Sequence, residues 1–330
     1  MKVIQLSASF LLVLIFSSFL FLSGCQTDRS VRVLKLAHVL DTSHPVHKGM
    51  VFMAKRLAEI SGGRMRIDLY PGGQLGQERD LIELLQIGSL AMTKVSTAPL
   101  ESFVPEMKIF GIPYVFRDHE HCWKIYSGPI GKKLLLAGEK SFLRGMCYYD
   151  AGSRSFYTKD KPINRPTDLK GMKIRVMKSN IAVRMIEALG GSPTPIPWGE
   201  LYTSLQQGVV DGAENNPPSF YLSRHYEVCK YYSLDEHTYI PDILLMSTVV
   251  WNNLSTQEQQ WLQKAVDESV EYQKKLWKDA NEDALKKVQE LGVQVTYPDK
   301  KPFRDAVKEM YQSFKGTPLY DLILEIQALE

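Results

Sequence analysis

The strongest constraint on the fold is a long stretch without proline or glycine, which runs from the capping box Ser255-Thr-Gln-Glu258 to Gly292. In a capping box, the hydroxyl and the carboxylate satisfy free amides at the helix start reciprocally. Apolar residues then recur at near-helical spacing: Leu262, Val266, Tyr272, Leu276, Ala280, Ala284, Val288 and Leu291. A helix of roughly 35 residues at about 1.5 Å each spans about 50 Å, more than one domain. We therefore predict a helix that packs across two lobes, for which 330 residues are sufficient.

The N-terminal half alternates strand-like and helix-like segments. Val31 to Ala37 and Met65 to Tyr70 are typical of strands. Each is followed by a loop and then by helical apolar spacing, first from Gly49 to Ile60 and then from Leu75 onwards. Strand, loop and helix in repeated order indicate an α/β fold.

Ligands of open α/β sheets bind beyond the carboxyl ends of strands, where the following loops converge. His38 and Glu78 occupy such loops, although each also fits an ordinary surface position. Residues 209–218 are predicted to form a strand that ends in a polar loop, with Glu214 and Asn215 at its carboxyl end. The paired prolines after them would stiffen this loop.

Two arginines lie close to this region in sequence. Lys173 to Val176 alternates charged and apolar residues, so Arg175 projects from one face of a predicted strand and Ile174 from the other. Arg154 follows an apolar run. An arginine held on a strand presents a planar fork of donors that matches a carboxylate. The alternative is a solvated arginine on an edge strand.

Other classes of function find little support in the sequence. The formal charge is +3 without a basic block, which argues against nucleic-acid binding. His44 and His47 flank Pro45, which disfavours a regular helix that places both on one face. His119-Glu-His-Cys122 has no matching partner pair at zinc-site spacing, so we predict no metal site at either cluster. The chain has no nucleophile elbow, phosphate-binding loop or dinucleotide fingerprint, so neither an enzyme nor a cofactor is predicted.

The N-terminus predicts an extracytoplasmic protein. Lys2 precedes an apolar run from Phe10 to Leu22, which is typical of a signal-peptide core rather than a membrane span. The run ends in Leu22-Ser-Gly-Cys25, which resembles the bacterial lipoprotein signal. Residues 1–25 would then be a lipoprotein signal peptide that ends at lipidated Cys25, and the alternative is an ordinary cleaved signal peptide. Acyl chains on Cys25 would suffice for stable anchoring.

Three cysteines remain in the mature chain, namely Cys122, Cys147 and Cys229. Their wide spacing is not that of a disulfide framework. We expect buried free thiols, with a single bridge as the alternative.

Five segments, in this order, resemble the extracytoplasmic solute receptors of TRAP transporters (tripartite ATP-independent periplasmic transporters). They are Tyr70-Pro-Gly-Gly-Gln-Leu-Gly76, Ile112-Pro-Tyr-Val115, Asp168-Leu-Lys-Gly-Met-Lys-Ile-Arg-Val176, Gly191-Ser-Pro-Thr-Pro195 and Asp211-Gly-Ala-Glu-Asn215. Further segments are similar to the subgroup that binds hexuronates and 2,3-diketogulonate: Thr42 to Lys48, Ser153 to Tyr157, Glu214 to Pro218, Arg224 to Glu227 and Asp235 to His237.

The resemblance implies two α/β lobes joined by hinge strands, with the long helix crossing both. Lobe I would comprise residues 31–151 plus 241–280, and lobe II residues 152–240 plus 281–330. An organic acid would lie in the cleft and pass to the membrane subunits of a TRAP permease. The receptor is expected to be a monomer that is tethered to the membrane by lipid only.

The resemblance also assigns residues. Arg175 matches the arginine that pairs with the ligand carboxylate, Arg154 a supporting arginine, and Asn215 an asparagine at the same end of the ligand. Trp198 falls where sialic-acid-binding members carry an aromatic residue against the ligand. Polar groups that would suit the hydroxyls of a six-carbon sugar acid are His38, Glu78, Glu214 and Glu236. Ser96 and Pro99 differ from the residues of sialic-acid-binding members, which argues against sialic acid.

Two other functions are compatible with the sequence. An extracellular lyase or isomerase acting on sugar acids would need a base, for which His38, Glu78 or His237 could serve. A sensor receptor would pass its ligand to a signalling protein instead of a permease.

Overall fold

The structure is a computed structural model that describes residues 31–329. The predicted signal peptide and Cys25 lie outside the described residues. Within residues 31–329 the strands are β1 (Arg32–Ala37), β2 (Met65–Tyr70), β3 (Met92–Ser96), β4 (Leu143–Tyr149), β5 (Arg154–Thr158), β6 (Lys173–Val176), β7 (Ser192–Pro195), β8 (Gly212–Asn215), β9 (Tyr231–Thr238), β10 (Asp242–Ser247) and β11 (Gln294–Thr296).

The α-helices of the same residues are α1 (Pro45–Ile60), α2 (Glu78–Gln86), α3 (Thr97–Leu100), α4 (His119–Ser127), α5 (Pro129–Leu136), α6 (Asn180–Ala188), α7 (Leu201–Gln206), α8 (Pro217–Leu222), α9 (Thr248–Asn252), α10 (Thr256–Glu290), α11 (Lys301–Ala306), α12 (Lys308–Gln312) and α13 (Pro318–Ala328). Short 3-10 helices span Pro105–Gly111, Glu139–Ser141, Pro166–Leu169, Trp198–Glu200 and His225–Glu227.

The strands form two mixed sheets. The sheet of lobe I has the order β2-β1-β3-β10-β4, and the sheet of lobe II has the order β11-β9-β5-β8-β6-β7. The chain passes between the lobes from β4 to β5 and from β9 to β10. The predicted two-lobe α/β architecture with hinge strands is therefore confirmed.

The first crossing is tied to α10. The Gln273 side chain accepts a hydrogen bond from Asp150 N (2.8 Å) and donates one to Asp150 O (2.9 Å). Gly152 then adopts a φ of 56°, and a Cβ atom there would lie 3.0 Å from Trp277 Nε1. Because both the left-handed backbone and the close approach of Trp277 disfavour a side chain, this position requires glycine.

Helix α10 is the predicted long helix. It begins with the capping box of Ser255 and Glu258, and it packs against α1 of lobe I and α8 of lobe II. Its 35 residues thus contact both lobes, as predicted from the absence of proline and glycine. No helix of residues 31–329 is both long and apolar enough to cross a membrane.

Three prolines differ from the sequence predictions. Pro217 and Pro218 do not stiffen a loop but open α8, where Asn216 Oδ1 accepts a hydrogen bond from Ser219 N (2.9 Å). Pro45 likewise begins α1 instead of disfavouring a helix, and His44 is its N-cap. Proline is tolerated in the first helical turn because its missing N–H would find no partner there.

The C-terminal segment contacts both lobes. Strand β11 pairs with β9 of lobe II, and α12 packs against α6, whereas α13 packs against the 3-10 helix Pro105–Gly111 that follows lobe I strand β3. The exact lobe boundaries therefore remain a prediction. Cys122, Cys147 and Cys229 are free and buried in the apolar core.

Candidate functional site

A cavity lies between the lobes where strand ends from both sheets meet. The parallel strands β3, β6 and β8 end here, and the antiparallel strands β5 and β10 begin here. The cavity is lined by Val39, Leu40, Glu78, Lys94, Ser96, Ala151, Arg154, Arg175, Met177, Trp198, Asn215, Asn216, Ser219, Ile240 and Asp242. Glu78, Arg175, Met177 and Trp198 also line an adjoining outer cavity. The two cavities together form one cleft.

Arg175 lies on β6 between β7 and β8, so it is not on an edge strand. Its side chain is buried at 1% exposure, while Ile174 on the opposite face packs in the apolar core. Nε donates to the Ile196 carbonyl oxygen (2.8 Å), but buried Nη1 has no hydrogen-bond partner within the described part of the chain. Burial lowers the pKa of Arg175. A buried charge without a counter-ion is costly, so this position fits an anionic ligand.

Arg154 is also buried, but its donors are occupied. Nε and Nη2 lie 2.5 and 2.9 Å from the Glu214 carboxylate, and Nη2 also donates to the Glu214 carbonyl oxygen (2.7 Å). Nη1 donates to Asn215 Oδ1 (2.7 Å). Most donors of Arg154 are therefore already used, and its main effect is to position Glu214 and Asn215. Because Asn215 Oδ1 is used, the Asn215 amide nitrogen is left to donate to a ligand.

Glu214 connects Arg154 to a buried histidine. His237 Nε2 lies 3.6 Å from Glu214 Oε2, and His237 Nδ1 lies 2.9 Å from Asp235 Oδ2. Burial alone would raise the pKa of Glu214, but the charge and hydrogen bonds of Arg154, together with the nearby His237, lower the pKa to about 2. Burial likewise opposes charge on His237, yet the two carboxylates raise its pKa to about 9. The network thus consists of charged, mutually compensating groups behind the cleft.

The lobe I side of the cavity carries three charged groups that we call the lobe I wall: Glu78, Lys94 and Asp242. Lys94 Nζ lies 2.9 Å from Asp242 Oδ2 and 3.8 Å from Glu78 Oε1. Glu78 Oε1 also accepts a hydrogen bond from Ser96 N (2.8 Å). Burial raises the pKa of Glu78, and the charge of Lys94 opposes this shift. We call Arg154, Arg175 and Asn215 the lobe II wall.

Trp198 forms part of the cleft lining at the start of its 3-10 helix. The Arg175 guanidinium lies 5.9 Å from the Trp198 ring centroid, and the ring packs beside His225 at a centroid distance of 5.3 Å. A rigid aromatic face next to the free arginine limits where a ligand can lie.

Three predicted site residues do not line the cavity. Glu214 lies behind Arg154. His38 is fully buried, whereas its neighbours Val39 and Leu40 line the cavity. His38 Nε2 lies 2.9 Å from His47 Nδ1, and burial is the main cause that lowers the pKa of His38 to about 3.

Glu236 lies elsewhere. It pairs with Lys300 and lines a separate cavity together with His119 and Trp277. The cause is an irregularity in the pairing of β5 with β9, where Glu236 adopts a φ of 48°. A bulge of this kind redirects side chains, and a sequence pattern of period two does not reveal it.

Sequence reasoning missed Lys94 and Asp242. Lys94 stands in the middle of β3, whose residues are all buried. A lysine is almost never fully buried without a partner, so a lysine inside a strand of otherwise uncharged residues was the available signal. Asp242 begins β10 directly after the second crossing, and its sequence context gave no indication of its partner.

Comparisons with known proteins show the family and the solved structures that this chain resembles. Residues 36–317 match the model of bacterial extracellular solute-binding protein, family 7. The structure of a TRAP periplasmic solute binding protein from Bradyrhizobium sp. BTAi1, in complex with α/β-D-galacturonate, is 43% identical with a TM-score of 0.88, and the match covers 90% of this chain and 100% of that one. A second structure, from Pseudomonas putida F1 with bound D-glucuronate, is 36% identical with a TM-score of 0.87, covering 90% and 97%.

One sequence relative is a binding protein for a sugar acid. The 2,3-diketo-L-gulonate-binding periplasmic protein YiaO of Escherichia coli is 29% identical over 278 residues, which are 82% of this chain and 85% of that protein. The resemblance to the sugar-acid subgroup is therefore confirmed.

Proposed function

The chain belongs to family 7 of the bacterial extracellular solute-binding proteins, and we propose that it binds a hexuronate in the cleft and delivers it to a TRAP membrane permease. The observation that carries this proposal is Arg175, a buried guanidinium that faces the cleft and has unused donors. The bound galacturonate and glucuronate of the two solved relatives support the class of ligand.

The ligand carboxylate would pair with the free edge of Arg175 and accept a hydrogen bond from the Asn215 amide group. A planar guanidinium binds a carboxylate through two parallel hydrogen bonds, which fix the orientation of the ligand. The sugar hydroxyls would then face the lobe I wall and Ser96, whose buried hydroxyl oxygen has no hydrogen-bond partner among residues 31–329.

Binding would couple to closure of the lobes about the two crossings. The ligand contacts both walls only when the lobes approach, so it favours the closed state by its differential affinity for that state. Family members are binding proteins, and we propose that this chain likewise performs no chemistry. Of the three nominated bases, Glu78 lines the cavity, whereas His38 and His237 do not.

We also propose that the mature protein is held at the outer face of the membrane by acyl chains on Cys25. This rests on the Leu22-Ser-Gly-Cys25 segment and on the extracytoplasmic location of the family. Mass spectrometry of the membrane-bound protein from the producing bacterium would detect the diacylated N-terminal cysteine. A mature chain with a free, unmodified N-terminus would contradict the anchor.

Titration calorimetry with paired sugars tests the proposed ligand class. We expect D-galacturonate or D-glucuronate to bind, whereas D-galactose and D-glucose, which lack the carboxylate, should bind at least about 100-fold more weakly because Arg175 would stay buried and unpaired. Ligand recovered unchanged after prolonged incubation would fit a receptor. Equal affinity for the acid and the neutral sugar, or release of a modified sugar, would contradict the proposal.

A further inference from the structure

The lobe I wall has an excess of negative charge. Its two carboxylates, Glu78 and Asp242, share one ammonium group, that of Lys94, which gives a formal charge of −1 when both carboxylates are ionised. All three side chains are largely enclosed, with 13%, 11% and 2% of the side-chain surface exposed for Glu78, Asp242 and Lys94. Solvent therefore screens this charge only weakly.

The same wall presents carboxylate oxygens that receive no hydrogen bond from the described part of the chain. Among residues 31–329, Glu78 Oε1 accepts from Ser96 N and Asp242 Oδ2 contacts Lys94, but Glu78 Oε2 and Asp242 Oδ1 accept no hydrogen bond. A hydroxyl group can donate to such an oxygen. An ionised carboxylate can only accept, so it cannot satisfy them.

From these two features we infer that the lobe I wall makes the receptor specific for monocarboxylic sugar acids and excludes their dicarboxylic counterparts. This inference rests on the proposed function, since it requires the ligand carboxylate to lie on Arg175. A sugar acid bound in that orientation extends its hydroxyls towards Glu78 and Asp242. A second carboxylate at the far end of the molecule would meet two carboxylates whose salt-bridge partner, Lys94, is already engaged.

Lys94 does not offset this repulsion. Its ammonium group lies 2.9 Å from Asp242, and it would have to exchange that contact for one with the ligand, leaving the aspartate buried and unpaired. Like charges brought together in a desolvated site cost several kcal/mol, and a buried carboxylate that loses its partner adds to this cost. The lobe I wall therefore disfavours a second carboxylate on the ligand and favours hydroxyl groups.

Three probes separate the effects of charge and shape. D-Galacturonate tests the proposed function. D-Galactonate and galactarate are open-chain acids with the same four hydroxyl-bearing carbons, and they differ only in whether the last carbon is a hydroxymethyl group or a carboxylate. Calorimetry at pH 7.5 should show galactarate binding at least about 100-fold more weakly than D-galacturonate.

Variants that neutralise one carboxylate of the wall then test whether its negative charge causes the weaker binding of galactarate. Asp242→Asn and Glu78→Gln each keep the shape and remove one negative charge, so each should lower the ratio of galacturonate to galactarate affinity at least about tenfold. The double variant, whose wall carries a formal charge of +1, should lower it further. Glu83→Gln provides the matched control, because Glu83 lies on the exposed face of α2, the helix that carries Glu78.

The outcomes distinguish this inference from the proposed function. If no monocarboxylic sugar acid binds, the proposed function fails and the inference fails with it. If D-galacturonate binds and galactarate binds within about threefold of it, the proposed function stands and the inference is wrong. A ratio that stays unchanged in both single variants, each still binding D-galacturonate, would also overturn the inference. Weak binding of galactonate alongside such an unchanged ratio would assign the selectivity to ring shape.

Discussion

On the lobe II wall, Arg154 is held by Glu214 and Asn215, while Arg175 keeps free donors. On the lobe I wall, Lys94 pairs with two carboxylates, and both of these keep free acceptor oxygens. The first wall thus offers donors with positive charge, and the second offers acceptors with negative charge. A ligand with a carboxylate at one end and hydroxyls at the other satisfies both walls at once.

The two walls also differ in the number of oppositely charged partners around their charged side chains. Glu214 has Arg154 on one side and His237 on the other, and Asp235 in turn supports His237. Among residues 31–329, Lys94 is paired only with its two carboxylates. Removing one member should therefore affect the two walls unequally, which the following predictions test from the largest expected effect to the smallest.

Glu214→Ala should have the largest effect on the free energy of unfolding. Removing this carboxylate leaves Arg154 buried without its counter-ion, which costs about 3–5 kcal/mol. Asp242→Ala should cost less, because Lys94 keeps Glu78 at 3.8 Å. Urea denaturation of both variants measures the two losses. Equal losses of unfolding free energy in the two variants would contradict the predicted difference between the walls.

The charge of His237 should make stability fall at alkaline pH. Burial opposes its charge, but the carboxylates of Asp235 and Glu214 raise its pKa from 6.5 to about 9. A folded-state pKa above the unfolded value contributes stability that is fully present below pH 6.5 and is lost as the pH rises through about 9. A shift of this size corresponds to about 3 kcal/mol.

Urea denaturation between pH 6 and pH 10 measures this loss, with His237→Gln as the comparison. The variant should be less stable at pH 6 and should lack most of the decline. A wild-type protein of constant stability over this range would contradict a charged His237 behind the lobe II wall.

Arg175→Lys should weaken binding of D-galacturonate by about 2 kcal/mol or more, which corresponds to about 30-fold. Lysine keeps the positive charge but loses the paired geometry. Calorimetry measures the affinity, and Arg165→Lys is the control because Arg165 is an exposed arginine of the same lobe. If Arg175→Lys binds as tightly as the parent, the carboxylate does not pair with this side chain.

Glu236→Gln should have the smallest effect. Glu236 was predicted to contact ligand hydroxyls, but it pairs with Lys300 in a separate cavity. We expect the affinity for D-galacturonate to change by less than about 0.5 kcal/mol, as is usual for surface substitutions. A tenfold loss in calorimetry would mean that Glu236 acts on the cleft through the hinge strands.

The comparison of the walls also explains what the sequence could predict. The period of two in β6 placed Arg175 opposite the core, and the uninterrupted helical stretch predicted α10 because both depend on local pattern. The lobe II wall, Trp198 and Glu78 line one cavity in the structure, and their contacts with a ligand stay a prediction. The family resemblance supplied the roles.

The remainder depends on contacts between distant segments. Lys94 and Asp242 are separated by almost half of the chain and become neighbours only because β10 pairs with β3. Glu236 is turned away by a bulge that depends on the partner strand. The pattern of residues along one segment reveals neither the pairing of distant strands nor a bulge. Lys94 was nevertheless recognisable as unusual, because it is the one charged residue of β3.

The most direct test is a crystal structure of the protein with D-galacturonate. We predict that both carboxylate oxygens lie about 2.7–2.9 Å from the terminal nitrogens of Arg175, with the ring hydroxyls against Glu78, Lys94 and Asp242. A ligand bound in the opposite orientation, with its carboxylate on Lys94, or one bound outside the cleft, would contradict the account.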